Sequence, residues 1–308
     1  MYPSKIPDTS IQSLINPVDS RLLLVYPNVA TSEKRDMLRE IVEVGHANGF
    51  RVIPWFEFGL MAPPTSNLAT TYKHLLMEDA TGKTVKDGNV WLNPFQPEVQ
   101  KFIVDLISDV VLRYDIDGIQ LDDHFGIPIE MGYDSFTRNL YMSETGDPDP
   151  ISRPDSTKWK DWRINAVTNL VKQIFVAVKA IKNDCIISIS PNPLDFSINN
   201  FLADWQKWEQ AGFAEEIVLQ NYVESSFVSR LKSPEMNASK IHIPTIIGIN
   251  TGLKKDRISS SKIKDLVQEV RNQDFSGVSF FFYETLINEK LEPSVVARNQ
   301  TDFNKIFG

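Results

Sequence analysis

The chain has 308 residues, 42% of them hydrophobic and 23% charged, with a formal net charge of −8 at pH 7. That is an ordinary globular composition, long enough for one large domain or two small ones, and an acidic balance with no basic run argues against nucleic acid or an anionic membrane as the main partner. The lone Cys185 excludes an internal disulfide, no stretch approaches the roughly twenty apolar residues that span a bilayer, and the opening MYPSKIPDTS lacks the basic-then-apolar pattern of a signal peptide.

From Ser32 onward helical and strand patterns alternate. In SEKRDMLREIVEVGHANG, Leu38, Ile41, Val42 and Gly45 share one face and Gly49 supplies the stop. RVIPWFEFG follows as a short buried strand. The clearest helix comes next: behind Pro97, residues Val99, Phe102, Ile103, Leu106, Ile107, Val110, Val111 and Tyr114 recur at three-four spacing and feed into the strand DGIQLDD. The order then repeats, with a helix over residues 162–182, the strand CIISISP, a helix over 201–210, the strand EIVLQNY, a helix near Ser226, the strand HIPTIIGIN, a helix over 260–272 and finally GVSFFFYETL. Six strands therefore end at Glu57, Asp122, Pro191, Tyr222, Asn250 and Glu284, while RLLLVYP near the start offers one further strand but no complete unit.

Short apolar strands alternating with amphipathic helices predict a parallel sheet covered by helices, which a (β/α)8 barrel and a doubly wound sheet both satisfy. The strand ends decide between them. They read Trp55-Phe56-Glu57, Asp122-Asp123-His124, Ser190-Pro191-Asn192, Gln220-Asn221-Tyr222 and Tyr283-Glu284, so polar and aromatic residues gather at the C-terminal ends. A barrel brings all those ends to one mouth, whereas an open sheet uses only its switch point, and no Gly-rich phosphate loop follows any strand. The expected architecture is one α/β domain over residues 1–308, a (β/α)8 TIM barrel lacking its first one or two strands.

Glycoside hydrolysis needs a carboxylic acid to protonate the leaving oxygen and a carboxylate to act as nucleophile or base, roughly 5–5.5 Å apart for retention and 6.5–9.5 Å for inversion. Asp122, Asp123, Glu57 and Glu284 are the catalytic candidates. Side chains alternate along a strand, so Asp122 and Asp123 share a site only if the strand ends between them; one then reacts while the other orients a neighbour such as His124 or Arg163. The plainer alternative makes Asp123 a turn cap, Asp122 the partner of a buried cation and Glu57 a rim carboxylate. Asp117 belongs to the turn entering its strand, at the opposite end. Sugar rings stack on aromatics and need polar partners for their hydroxyls, which selects Trp55, Trp91, Tyr222 and Tyr283 together with Asn93, His124, Asn192 and Gln220 as substrate-binding candidates. Trp205 and Trp208, three apart on a helix, read as core. No histidines stand at metal-ligand spacing and no GxSxG elbow occurs, so no metal, cofactor or serine triad is expected. The connection from Gly126 to Lys158 is long, and Tyr133, Phe136 and Tyr141 give it anchors; it is expected to wall a substrate groove, the alternative being a loose surface insertion.

Four segments, PWFEFGLMAP at 54–63, VWLNPFQPEVQKFI at 90–103, YDIDGIQLDDHFG at 114–126 and GVSFFFYETL at 277–286, resemble the bacterial glycosyl-hydrolase-like family 10, and the likeness runs over nearly the whole chain. It is strongest to the branch that cleaves peptidoglycan glycan strands stripped of their peptides. The resemblance implies a (β/α)8 barrel, glycosidase activity on a cell-wall glycan, no cofactor, and export to the cell envelope. It also places the aspartate pair at the end of the fourth strand and the PWFEFG glutamate at the end of the third, matching Asp122, Asp123 and Glu57. Two departures stand out: YPSKI falls after the second barrel strand in the family, so an upstream start and leader are expected, and VLQNYVESS carries Val223 where relatives have a basic residue. The competing reading is a sugar-binding barrel that has lost catalysis.

Overall fold

The computed structural model describes residues 36–253 and 256–281. RLLLVYP, Tyr283 and Glu284 lie outside those residues. Helix α1 (Met37–Ala47) is capped by Asp36, whose carboxylate accepts from the Arg39 amide, and leads to strand β1 (Trp55–Phe56). Between β1 and helix α3 (Pro97–Arg113) the chain forms β2 (Met61–Ala62), the short helix α2 (Asn67–Thr71), β3 (Val85–Lys86) and β4 (Asn89–Trp91). Strand β5 (Gly118–Asp122) is followed by α4 (Ser135–Thr145) and the long α5 (Thr157–Ile181). Then come β6 (Ile186–Ser190), α6 (Leu194–Phe201), α7 (Trp205–Gln210), β7 (Glu216–Gln220), α8 (Phe227–Leu231), α9 (Pro234–His242) and β8 (Thr245–Asn250). A ribbon of β9 (Gly252–Leu253) and β10 (Asp256–Arg257) precedes α10 (Ser260–Arg271) and β11 (Gly277–Phe281).

All six expected strands join one parallel sheet in the order β1-β5-β6-β7-β8-β11. Sheet order equals chain order, so there is no reversal and hence no switch point of the doubly wound kind. The two faces differ in character. Ile119 and Leu121, Ile187 and Ile189, Ile217 and Leu219, and Ile247 and Ile249 are buried and share one core with the inner sides of α3, α5 and α10. Each such side chain stabilises the fold by about 1.5–3 kcal/mol through the apolar surface it removes from water. By strand alternation the opposite face carries Gln120, Asp122, Ser188, Ser190, Gln220 and Asn250. The sheet is strongly curled. Trp55 on β1 and Phe281 on β11, at its two edges, meet ring to ring at 5.9 Å in an edge-on contact.

Away from the strand ends, four expectations are corrected. A three-stranded antiparallel sheet, β2-β4-β3, interrupts the simple alternation after β1. Its signal was present, since Asp87-Gly88 adopts positive φ at both residues (52° and 81°) between Lys86 and Asn89, the two-residue turn that Asp-Gly favours. The single helix expected over 201–210 is two helices, broken where Leu202 takes a φ of 54° and Asp204 caps α7. α5, at 25 residues, is long and apolar enough to cross a membrane by length and composition, which the sequence reading did not see. Its apolar stripe, Ile164, Val167, Leu170, Val171, Ile174 and Val178, is buried in the core.

The fourth correction concerns Arg163, which serves the 126–158 connection rather than the aspartates. Buried at the start of α5, it donates from Nη1 to the carbonyls of Ile129 (2.7 Å) and Met131 (2.8 Å), with its guanidinium 4.5 Å from the Trp159 ring. Burial lowers its pKa to about 10. Tyr133 and Tyr141 pack on Trp159 and Trp162, while Phe136 stays exposed. Gly132 and Tyr133 amides bond the Glu78 carbonyl, tying the connection to the β2–β4 insertion. The connection is therefore an anchored element and not a loose insertion. Replacing Arg163 by Met leaves two buried carbonyls without donors, so we expect a loss of about 2–5 kcal/mol in urea unfolding. New protease cuts between residues 126 and 156 should accompany that loss; wild-type resistance there would contradict the assigned role.

Candidate active site at the end of β5

β5 ends at Asp122, and the chain turns at once, with the Phe125 amide bonding the Asp122 carbonyl at 3.1 Å. The turn lets consecutive aspartates meet one partner, which a continuing strand forbids. Gln220, the last residue of β7, supplies that partner: its Nε2 donates toward Asp122 Oδ1 (2.9 Å), Asp123 Oδ1 (3.2 Å) and the Ser190 carbonyl (2.8 Å). One amide with two hydrogens thus serves three acceptors and joins the ends of β5, β6 and β7. Asn192, just past β6, donates to Asp123 Oδ2, and its own carbonyl is held by the Trp205 indole at 3.0 Å. Trp205 is core, as expected, but it also aims the site.

His124 completes the cluster. Its Nδ1 lies 2.6 Å from Asp122 Oδ2 and 2.9 Å from the Glu57 carbonyl. A carbonyl only accepts, so Nδ1 carries a hydrogen shared between the two oxygens, and the ring bridges the β5 and β1 ends. The same junction explains Gly59. At φ 53°, a Cβ there would sit 2.3 Å from the His124 carbonyl oxygen, which already accepts from the Leu60 amide at 3.0 Å.

Asp122 is only 3% exposed, and its pKa is raised to about 7 by burial foremost; the Asp123 charge adds to this and the His124 hydrogen bond opposes it. Burial also works against the charge of His124. The Asp122 hydrogen bond, the charges of both aspartates and the Glu57 carbonyl outweigh it and raise the imidazolium to about 9. Tyr222 is held neutral, its pKa raised by burial first and by both aspartates. Asp122, Asp123 and His124 are also the one group among the described residues whose ligand atoms lie close enough for a metal, all within 4.8 Å. Nδ1 is engaged by Asp122 and the Glu57 carbonyl, so these side chains form one hydrogen-bonded cluster.

The remaining sequence candidates within the described residues fall into four groups. Trp55 (39% exposed) and Tyr222 converge on Phe281, Tyr222 stacking on it at 5.2 Å and 7°, and Gly248 leaves room for the Tyr222 ring. Glu57 stands at the end of β1 with an exposed carboxylate that makes no hydrogen bond among the described residues; its carbonyl is the part engaged. Trp91 is buried, its ring 6.1 Å from His124 and 5.8 Å from Phe201, so it backs the imidazole and offers no open face. Asn93 is a correction: fully buried, its amide goes to Asp134 and Thr137 and its oxygen to the Phe95 amide, holding the N-terminus of α4 rather than reaching a substrate. Sequence reasoning missed Phe201 and Phe281. Phe281 was within reach, since it precedes the candidate Tyr283 by two positions, the spacing that sets side chains on one face of an expected strand.

Parallel strands in unbroken chain order, ending on a carboxylate cluster, give this protein an α/β fold of the kind glycoside hydrolases use. The glycoside hydrolase domain of PgaB (BpsB) from Bordetella bronchiseptica aligns with a TM-score of 0.66 at 13% identity, over 83% of this chain and 77% of that one. Residues 24–268 match the glycosyl hydrolase-like 10 family, and the chain belongs to it. Similar curated proteins are the glycosyl hydrolase YngK of Bacillus subtilis, 30% identical over 61% of this chain and 39% of its own length, and the glycosyl hydrolase DigH of Escherichia coli K12, 24% identical over 61% and 46%. The chain thus spans less than half the length of either relative.

A pH consequence follows from the cluster. Both Asp122 and His124 bind protons more tightly folded than unfolded, so their stabilisation is fully present at low pH and lost as pH rises. For His124 the window runs from its ordinary 6.5 to about 9. The thermal midpoint should therefore decline across that window, and His124→Gln should flatten the decline; parallel wild-type and variant curves would refute the pairing.

Proposed function

We propose that this protein is a glycoside hydrolase of bacterial cell-wall glycan, acting on peptidoglycan strands that lack stem peptides, through chemistry centred on Asp122 and Asp123. The observation that carries the reading is the Asp122–Asp123 pair gathered by Gln220 where the strands end. Glycosidases work with paired acidic groups at such a place. Asp123 is the more reachable carboxylate, with two amide donors fixing its oxygens, while Asp122 lies buried behind it. Trp55, Tyr222 and Phe281 form the aromatic side on which a sugar face can rest. The substrate class rests on family membership and on the motif resemblance to the peptidoglycan-cleaving branch. The same reading takes the curled six-strand sheet as the arc of a (β/α)8 barrel, in a single domain working at the cell envelope.

Asp123→Asn should lower turnover of peptide-stripped peptidoglycan strands by about 10³-fold or more while leaving strand binding nearly unchanged, since the lost interaction acts mainly in the transition state. Product release measured by chromatography, alongside binding to immobilised strands, checks both halves. Wild-type protein that binds strands and never cleaves them between pH 4 and 8 would favour a non-catalytic glycan-binding role instead.

A further inference from the structure

The cluster contains two aspartates, yet its geometry ties up their oxygens and leaves a nitrogen of the neighbouring histidine open. Asp122 has no free oxygen. Oδ2 faces His124 Nδ1 and Oδ1 faces Gln220 Nε2, and the side chain is 2% exposed. Asp123 is held by two amide donors, Gln220 and Asn192, the setting of an acceptor rather than of a proton donor. His124 differs from both. Nδ1 is tied to Asp122 and the Glu57 carbonyl, but Nε2 has no hydrogen-bond partner among the described residues, and 26% of the side chain is open. Trp91 and Phe201 flank the ring, at 6.1 and 6.5 Å, and fix its plane. The titratable groups around it are Asp122, Asp123 and, across the aspartates, Tyr222.

We propose that His124, and neither aspartate, delivers the proton to the departing glycosidic oxygen, from Nε2, with Asp122 as its positioning partner. The inference rests on the glycosidase reading and deepens it. As the bond between the anomeric carbon and the leaving oxygen breaks, both electrons stay on oxygen, which takes the Nε2 proton. The imidazole becomes neutral and keeps its Nδ1 hydrogen on Asp122. Positive charge developing on the anomeric carbon faces the Asp123 carboxylate, whose Oδ1 is 3.5 Å from Nδ1. Water then adds to that carbon and returns a proton to Nε2, restoring the imidazolium.

The test compares the whole chain on two substrates: peptide-stripped peptidoglycan strands, whose leaving group is a hydroxyl of the next sugar and needs a proton, and a 2,4-dinitrophenyl glycoside of a strand disaccharide, whose phenolate needs none. We expect His124→Gln to lower kcat/KM on strands about 10²–10⁴-fold but to stay within about tenfold of wild type on the dinitrophenyl glycoside. Wild-type kcat/KM on strands should hold until pH approaches about 9, and Asp122→Asn should move that limb downward. Equal losses on both substrates, an unchanged rate on strands, or a wild-type limb far below 9 would each overturn the assignment. Active wild type with an unaffected variant removes this inference alone; wild type inactive on both substrates removes the glycosidase reading with it.

Discussion

A carboxylate closed off from water must be matched by donors, and Asp122 sets that demand for the whole C-terminal end of the sheet. Gln220 and His124 meet it, and each comes from a different place along the chain. Because Gln220 also bonds the Ser190 carbonyl and Asp123, three strand ends are brought into register by one side chain. Because His124 also reaches the Glu57 carbonyl, the β1 end joins them. The layout of the site is thus the hydrogen-bond solution to one buried carboxyl group.

The same demand reaches outward through packing. His124 holds its orientation because Trp91 and Phe201 lie against it, and Trp91 stands there because β4 pairs with β2 while its carbonyl accepts from the Met77 amide. The insertion after β1 is bonded in turn to the 126–158 connection through Glu78, and Arg163 braces that connection from α5. Rigidity at the acid cluster is therefore supplied by two loops leaning on each other and on a helix, rather than by the sheet alone.

Much of the frame was legible because it follows periodicity. Ile119 and Leu121 alternate with Gln120 and Asp122, so the strand and its two faces can be read directly, and parallel strands put their polar ends together. Asp117 was rightly placed at the far end, where it accepts from the Val52 amide at 2.6 Å and meets His46. What escaped depends on contacts between residues distant in sequence. Asn93 looks like a sugar-binding amide, but only the position of Asp134 and Thr137 reveals it as a clasp. Arg163 looks available to an aspartate, and two carbonyls more than thirty residues away claim it. Leu202 carries no residue-type hint of the positive φ that splits the expected helix. The Asp87-Gly88 turn did carry one, in a segment read only for its aromatics.

That hairpin is built in two parts. Its base is pinned, with the Leu92 amide on the Leu60 carbonyl and the Met77 amide on the Trp91 carbonyl, whereas its tip at Asp87 and Gly88 is exposed, next to an ion pair from Lys86 to Glu130 at 3.1 Å. Lengthening, shortening or replacing the tip leaves the residues at the base in place. The hairpin is therefore a graft point: a segment whose length can change at the surface while the side chains gathered at the strand ends keep their places.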